Sequence, residues 1–147
     1  MRLTNYTDYS LRVLIYLATI EKDQLTNIKE IADTYQISKN HLMKVIYQLG
    51  KNQYVETIRG RNGGIRLAMS PKDINIGEVV RKTEEDFHLV ECFDTNNNHC
   101  VISPVCGLRH VLNKALKAYL EVLDQYTLAD LTKNQSALAD FLFKSKF

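Results

Sequence analysis

Leu11, Leu14, Ile15 and Ala18 stand at i, i+3, i+4 and i+7, the spacing that gathers apolar groups on one face of a helix. Thr7 is placed to cap that helix, and Asp8 in its first turn complements the helix dipole. The pattern returns after Asn27, whose spacing to Glu30 makes a variant capping box, with Ile28, Ile31, Ala32 and Tyr35 on a helix of about two turns. Gln36-Ile37-Ser38 interrupts it. Ser38 can cap a third helix carrying Leu42, Val45, Ile46 and Leu49 on the same kind of face. Two short amphipathic helices across a three-residue turn predict a helix-turn-helix, and the helix after Ser38 is its candidate recognition helix. Beyond Gly50, Tyr54–Ile58 and Ile65–Ala68 read as strands around the Gly-rich turn Arg59-Gly60-Arg61-Asn62-Gly63-Gly64. A hairpin after a helix-turn-helix is the wing of a winged helix.

Ser70-Pro71-Lys72-Asp73 predicts a turn, and a short helix is expected from Ile76 to about Thr83. Asp94 to Pro104 reads as a loop centred on Thr95-Asn96-Asn97-Asn98. The longest helix is expected from about Val105. Leu108, Val111, Leu112, Ala115, Tyr119, Val122 and Tyr126 form its main stripe, which Leu116, Leu120 and Leu123 widen beyond what one small domain can cover. That width predicts a dimerisation helix; the alternative is a helix buried within its own chain. A weak terminal helix is expected from Ser136 to about Lys144. The expected fold is therefore mainly α: a winged helix-turn-helix at 1–75, a connecting helix and cysteine-bearing loop at 76–103, and a dimerisation helix with a tail at 104–147.

Composition narrows the function. A chain of 147 residues that is 45% hydrophobic and 24% charged, with 2 Pro and 6 Gly, is one ordinary globular domain or a small domain with an appendage. Its apolar runs fall far short of the ~20 residues that span a bilayer, and Asp8 and Arg12 interrupt the N-terminal apolar segment where a signal peptide would be continuous. A cytoplasmic chain with no membrane partner is expected. The net charge of +2 hides an asymmetry: residues 1–70 hold 10 Lys/Arg against 6 Asp/Glu, residues 71–147 hold 9 against 11. Between Gln36 and Arg66, six bases (Lys39, Lys44, Lys51, Arg59, Arg61, Arg66) face Glu56 alone. Such an excess suits a polyanion, although a merely solvated basic surface would show the same charge. Ser38, Asn40, His41 and Lys44 on the recognition helix are the candidate double-stranded DNA contacts, with Arg59, Arg61 and Asn62 at the wing tip and Arg12 near a phosphate. The glycines do not make a phosphate-binding loop of the Walker kind, because the Lys-Ser/Thr is absent.

The three cysteines lie within fifteen positions, in the spacing Cys92-x7-Cys100-x5-Cys106. An odd number does not make a disulfide framework, and zinc fingers and ribbons use tighter pairs. Thiolates are soft ligands for zinc or an iron-sulfur cluster, and a cubane cluster takes four ligands, one per iron. One ligand is then missing from the loop. Candidates are His99, His110, Asp94 or a residue from elsewhere such as Asp8. Unrelated free cysteines and a thiol redox pair are the competing readings; spacing alone does not choose between cluster and zinc.

Asn5-Tyr6-Thr7-Asp8-Tyr9-Ser10-Leu11-Arg12, Ile37-Ser38-Lys39-Asn40-His41-Leu42-Met43-Lys44, the wing Arg59–Leu67 and the cysteine trio resemble the Rrf-type family of bacterial winged-helix iron-sulfur regulators. The likeness covers nearly the whole chain and weakens after about Tyr126. It implies a homodimer in which each subunit holds an iron-sulfur cluster, of the 4Fe-4S kind, through Cys92, Cys100 and Cys106, and in which cluster state controls operator binding. In nitric-oxide-responsive members an acidic residue near the first helix of the other subunit completes the cluster, which maps onto Asp8. Cluster-biogenesis regulators use a His three residues past the third Cys; this chain has Arg109 there and His110 one step later, which favours Asp8 over His110. The resemblance therefore implies a repressor released from its operator when nitric oxide attacks the cluster. A sibling regulator of cluster supply or redox state and a zinc-stabilised winged-helix scaffold are the alternatives. No enzyme motif of the Cys-His-Asn or Ser-His-Asp kind is suggested.

Overall fold

A computed structural model describes residues 1–143. Helices α1 (Asn5–Thr19), α2 (Ile28–Tyr35) and α3 (Lys39–Lys51) are followed by the antiparallel hairpin β1 (Val55–Ile58) and β2 (Gly64–Leu67), then α4 (Ile76–Thr83), α5 (Gly107–Leu123), α6 (Leu128–Leu131) and α7 (Gln135–Phe143). The hairpin register runs from Val55 opposite Leu67 to Ile58 opposite Gly64. Thr26 and Ile65 exchange both backbone hydrogen bonds (3.1 and 2.7 Å), which ties the segment before α2 to the wing. Gly63 is required at the turn, because a Cβ there would collide with the carbonyl oxygen of Ile58.

The helix-turn-helix forms as its pattern predicts. Asn27 caps α2 by accepting from the Glu30 amide, but the box is not reciprocal: the Glu30 carboxylate takes the Thr26 hydroxyl at 2.6 Å. Gln36 ends α2 in the left-handed region at φ 55°, and Ser38 starts α3 by accepting from the His41 amide at 3.1 Å. The cap of α1 is Thr4 rather than Thr7. Helix α1 starts before its apolar stripe does, Thr4 accepts from the Thr7 amide, and Thr7 is fully buried. The core joins Val13, Leu14 and Leu17 of α1 to Ile31, Leu42, Leu49, Tyr54, Ile65, Ile74 and Val79.

The longest helix is α5, and none of its residues is buried. Leu108 is 62% exposed, Val111 58%, Tyr119 40% and Val122 51%. Tyr126 lies past the end of the helix, in the turn that follows it. The C-terminal end of α5 is pinned to α4 by polar groups: Arg81 grips Asp124 with both guanidinium Nη atoms, and Asn75 donates to the Asp124 carbonyl at 2.7 Å. Position 77 must be glycine here because a Cβ would run into the Asp124 carboxylate.

After α5 the chain returns to the winged helix. Ile76 donates to the Tyr126 carbonyl (3.0 Å), Leu128 to that of Ile74 (2.8 Å), and Leu128 is fully buried. A reciprocal capping box of Thr127 and Asp130 shapes the single turn of α6. Helix α7 then lies on α1, with Gln135 donating to the Ala18 carbonyl (3.1 Å) and the Phe143 ring edge-on to Tyr16 (5.3 Å). The expected tail helix is present to Phe143, one residue short of Lys144, which lies outside the described residues. No helix among the described residues is long and apolar enough to cross a membrane. Leu128→Ala should cost about 2–5 kcal/mol of stability, as other buried Leu truncations do; a melting shift no larger than that of a surface substitution would show that the tail does not hold this core.

Candidate DNA-binding face and cysteine loop

On α3, Ser38, Lys39, Asn40, His41 and Lys44 are exposed, opposite the buried Leu42, Val45, Ile46 and Leu49. The wing tip exposes Arg59, Arg61 and Asn62. The single acid of this region is already engaged, since Glu56 pairs with Arg66 across the hairpin. That leaves Lys39, Lys44, Lys51, Arg59 and Arg61 without a carboxylate partner among the described residues. Two apolar side chains missed by charge-based reading share the face: Met43 is 50% and Tyr47 68% exposed. Their signal was available, as both fall off the apolar register of α3.

Asp8 and Arg12 are joined to each other one turn apart on α1, with contacts of 2.8 and 3.2 Å and each side chain 43% exposed. The Arg12 guanidinium lies 5.8 Å from the Tyr9 ring centre and 5.9 Å from that of Tyr35. Tyr35 donates its hydroxyl to the Arg12 carbonyl at 2.9 Å, and burial pushes its pKa up to about 12, so it stays a neutral donor. The Tyr9 ring meets the His41 ring at 6.0 Å. A continuous line of contacts therefore runs from Asp8 through Arg12 and Tyr9 to the start of α3.

Cys92 is buried in a 3-10 turn at Glu91–Phe93, whereas Cys100 and Cys106 are half-buried and Cys106 is the residue from which α5 starts. The loop between them is braced by its own polar groups. Asn98 accepts from the Cys100 amide (3.0 Å) and donates to the Ser103 hydroxyl (2.8 Å), which in turn donates to the Cys100 carbonyl (3.0 Å). Asp94 accepts from the Asn97 side chain and the Asn96 amide, bonds that hold its carboxyl below the usual range. His99 and His110 are exposed. No group of three or more His, Cys, Asp or Glu that could hold a metal ion is assembled among the described residues.

Residues 3–134 match the family model described as "Rrf2: Iron-dependent Transcriptional regulator". The chain belongs to the Rrf2 family. Within this family it is 72% identical over 142 residues to the HTH-type transcriptional regulator NsrR of Bacillus subtilis, covering 97% of each chain. It is 70% identical to the NsrR of Bacillus licheniformis, covering 97% of this chain and 99% of that one. Among solved structures it superposes on CymR, the global cysteine regulator of B. subtilis, with TM-score 0.75 and 28% identity over 91% of this chain and 98% of that one. The IscR of T. potens gives TM-score 0.73 and 27% identity, over 91% and 88% respectively. The resemblance read from the sequence is thus met: the chain is a winged-helix transcriptional regulator of the NsrR type, a non-enzymatic role. Regulation by this Rrf2 protein implies DNA binding, and the iron-dependent description of the family is consistent with an iron-sulfur cofactor.

The exposed Asp8–Arg12 pair is worth only a few tenths of a kcal/mol, as other i,i+4 surface pairs are. Asp8→Ala should therefore shift the stability of the metal-free protein by less than about 0.5 kcal/mol. A shift above 2 kcal/mol, roughly the value for loss of a buried partner, would make Asp8 a structural residue instead.

Proposed function

We propose that this chain is a homodimeric repressor that binds double-stranded operator DNA, holds one 4Fe-4S cluster per subunit, and releases the operator when nitric oxide reaches that cluster. Cys92, Cys100 and Cys106 are the proposed thiolate ligands, and Asp8 of the partner subunit is the proposed fourth. The donor set suits the group. Three soft sulfurs on one loop fit iron, and a cluster is larger than a single ion, so its ligands stand apart. A further sign of fit is the Nε of Arg109, buried one turn past Cys106 with no hydrogen-bond partner among the described residues. It is a donor suited to an anionic guest. When bound, the cluster supplies iron atoms to which nitric oxide is a strong ligand.

The observation that carries the regulatory reading is the line from Asp8 to α3. In this structure the Asp8 carboxylate is held by Arg12, and Arg12 packs on Tyr9, which meets His41 beside the Ser38 cap. A carboxylate drawn toward a neighbouring subunit would leave Arg12 unpaired and change the packing at the entry to the recognition helix. Two α3 helices read half-sites a fixed distance apart, so a shift at either entry weakens both contacts together. Dimerisation through α5 is supported by its apolar face, which runs into a groove of about 650 Å³ formed with residues 1–4 and 84–90 and lined by Leu3, Phe87, Leu112, Leu116 and Tyr119. Ser38, Asn40, His41 and Lys44 are assigned to the major groove, Arg59, Arg61 and Asn62 to the minor groove or its phosphates, and Arg12 to a nearby phosphate.

Iron, sulfide and zinc content, with a visible spectrum, should be measured on protein purified without oxygen and then titrated with nitric oxide while binding to a promoter fragment is followed. Iron and sulfide near ~4 per chain, with absorbance bleaching as the DNA is released, is the expected result. A cluster indifferent to nitric oxide would assign the chain to cluster supply or redox sensing, and zinc with unchanged DNA binding would remove the sensor altogether. Lys44→Ala should weaken operator and non-operator DNA alike and reduce the salt slope by about one unit; an unchanged slope would take Lys44 off the phosphates.

A further inference from the structure

Arg109 occupies a position that the folded chain does not reward. Its Nε is sealed from solvent and has no hydrogen-bond acceptor among the described residues. An N–H left in this way costs roughly 1–3 kcal/mol, and more when the group is charged. The surrounding helix makes matters worse. Arg109 lies in the opening turn of α5, where the aligned peptide dipoles present positive charge, and no acidic residue stands in that turn to offset it. Cys106, which starts the helix, makes no capping hydrogen bond with its side chain. A cation, free first-turn amides and a thiol thus converge with nothing negative between them.

That combination is unfavourable in the empty protein and favourable around an anion. Three cysteine thiolates and a carboxylate outweigh the positive charge of an iron-sulfur core, so the loaded site is anionic and rich in sulfur acceptors. Resting on the cluster reading above, we propose that Arg109 is a positioning residue for the cluster: its buried Nε–H is the donor reserved for the sulfur-rich anion held by Cys92, Cys100 and Cys106, and its charge offsets that anion. Groups of this kind orient a metal site and tune its hold without ligating it. The proposal gives Arg109 effects of opposite sign in the two states. It strains the cluster-free chain and steadies the loaded one.

Arg109→Met keeps the length and apolar stem of the side chain while removing charge and donor; Arg109→Lys restores charge without the guanidinium fork. Both full-length variants and the parent are reconstituted with iron and sulfide in the absence of oxygen. Three quantities are compared: the rate of iron loss to a chelator, the visible circular dichroism of the bound cluster, and the melting temperature of the cluster-free form. Arg109→Met is expected to lose iron roughly 10- to 100-fold faster with an altered dichroism spectrum, yet to melt at or above the parent when cluster-free. Arg109→Lys should recover part of the retention. Parent-like iron retention in Arg109→Met overturns the proposal. So does a cluster-free form that melts well below the parent or elutes as a monomer, since Arg109 would then serve folding or the dimer. A parent chain that takes up no cluster removes the underlying reading as well, an outcome separate from a parent that binds one and a variant that binds it equally.

Discussion

The inner face of α1 is closed off by most of the chain. Val13 and Leu14 have no exposed surface, and α3, α4, α6, α7 and β2 all pack against this one helix. Burial of a side chain of this size is worth about 1.5–3 kcal/mol, so the set of Val13, Leu14 and Leu17 fixes α1 far more firmly than any polar contact on its other side. The outer face of the same helix holds Asp8 and Arg12, whose exposed pair contributes little to stability. This inequality is useful in a regulator. A rigid helix can exchange the partner of one surface carboxylate at small cost, and its attached neighbours must respond as a unit.

The charge distribution follows a similar division. The hairpin consumes its single acid internally, Glu56 on Arg66, so the pair stiffens the wing while Arg59 and Arg61 beyond it remain free cations. On α3 the Ser38 cap is satisfied by the backbone, and the side chains that follow it are left to solvent or to a ligand. Long-range attraction to a polyanion then comes from a face whose fold does not depend on those charges, and it weakens with salt.

Much of this was legible in the sequence because the relevant signals are periodic or local. The four-residue spacing of apolar groups in α1, α2 and α3, the Asn27 and Ser38 caps and the glycine-rich wing tip are all encoded within one or two turns of chain. The cap of α1 was misplaced because Asn5 and Tyr6 join the helix before the apolar stripe begins. Helix α6 escaped notice since four residues are too few to show a period, and its true determinant, Leu128 against Ile74, is a contact between distant parts of the chain. At the candidate site, the cysteine trio was visible by residue type alone. The engagement of Asp8 by Arg12 was available as an i,i+4 spacing, whereas the isolation of the Arg109 Nε depends on what surrounds it and has no signature in the sequence.

The junction of α4 and α5 has a geometric consequence. The helix is tethered at its base by Asp124 on Arg81 and Asn75, and the chain that leaves it is sewn straight back to residues 74–76. Its tilt over the winged helix is therefore fixed by a handful of groups, none of which lies on the exposed face of α3 or at the wing tip. In a dimer joined through α5, that tilt sets how far apart the two reading heads stand. Descendants of this chain could drift in the separation of half-sites they accept by altering one corner of the molecule, while keeping unchanged the residues that recognise each half.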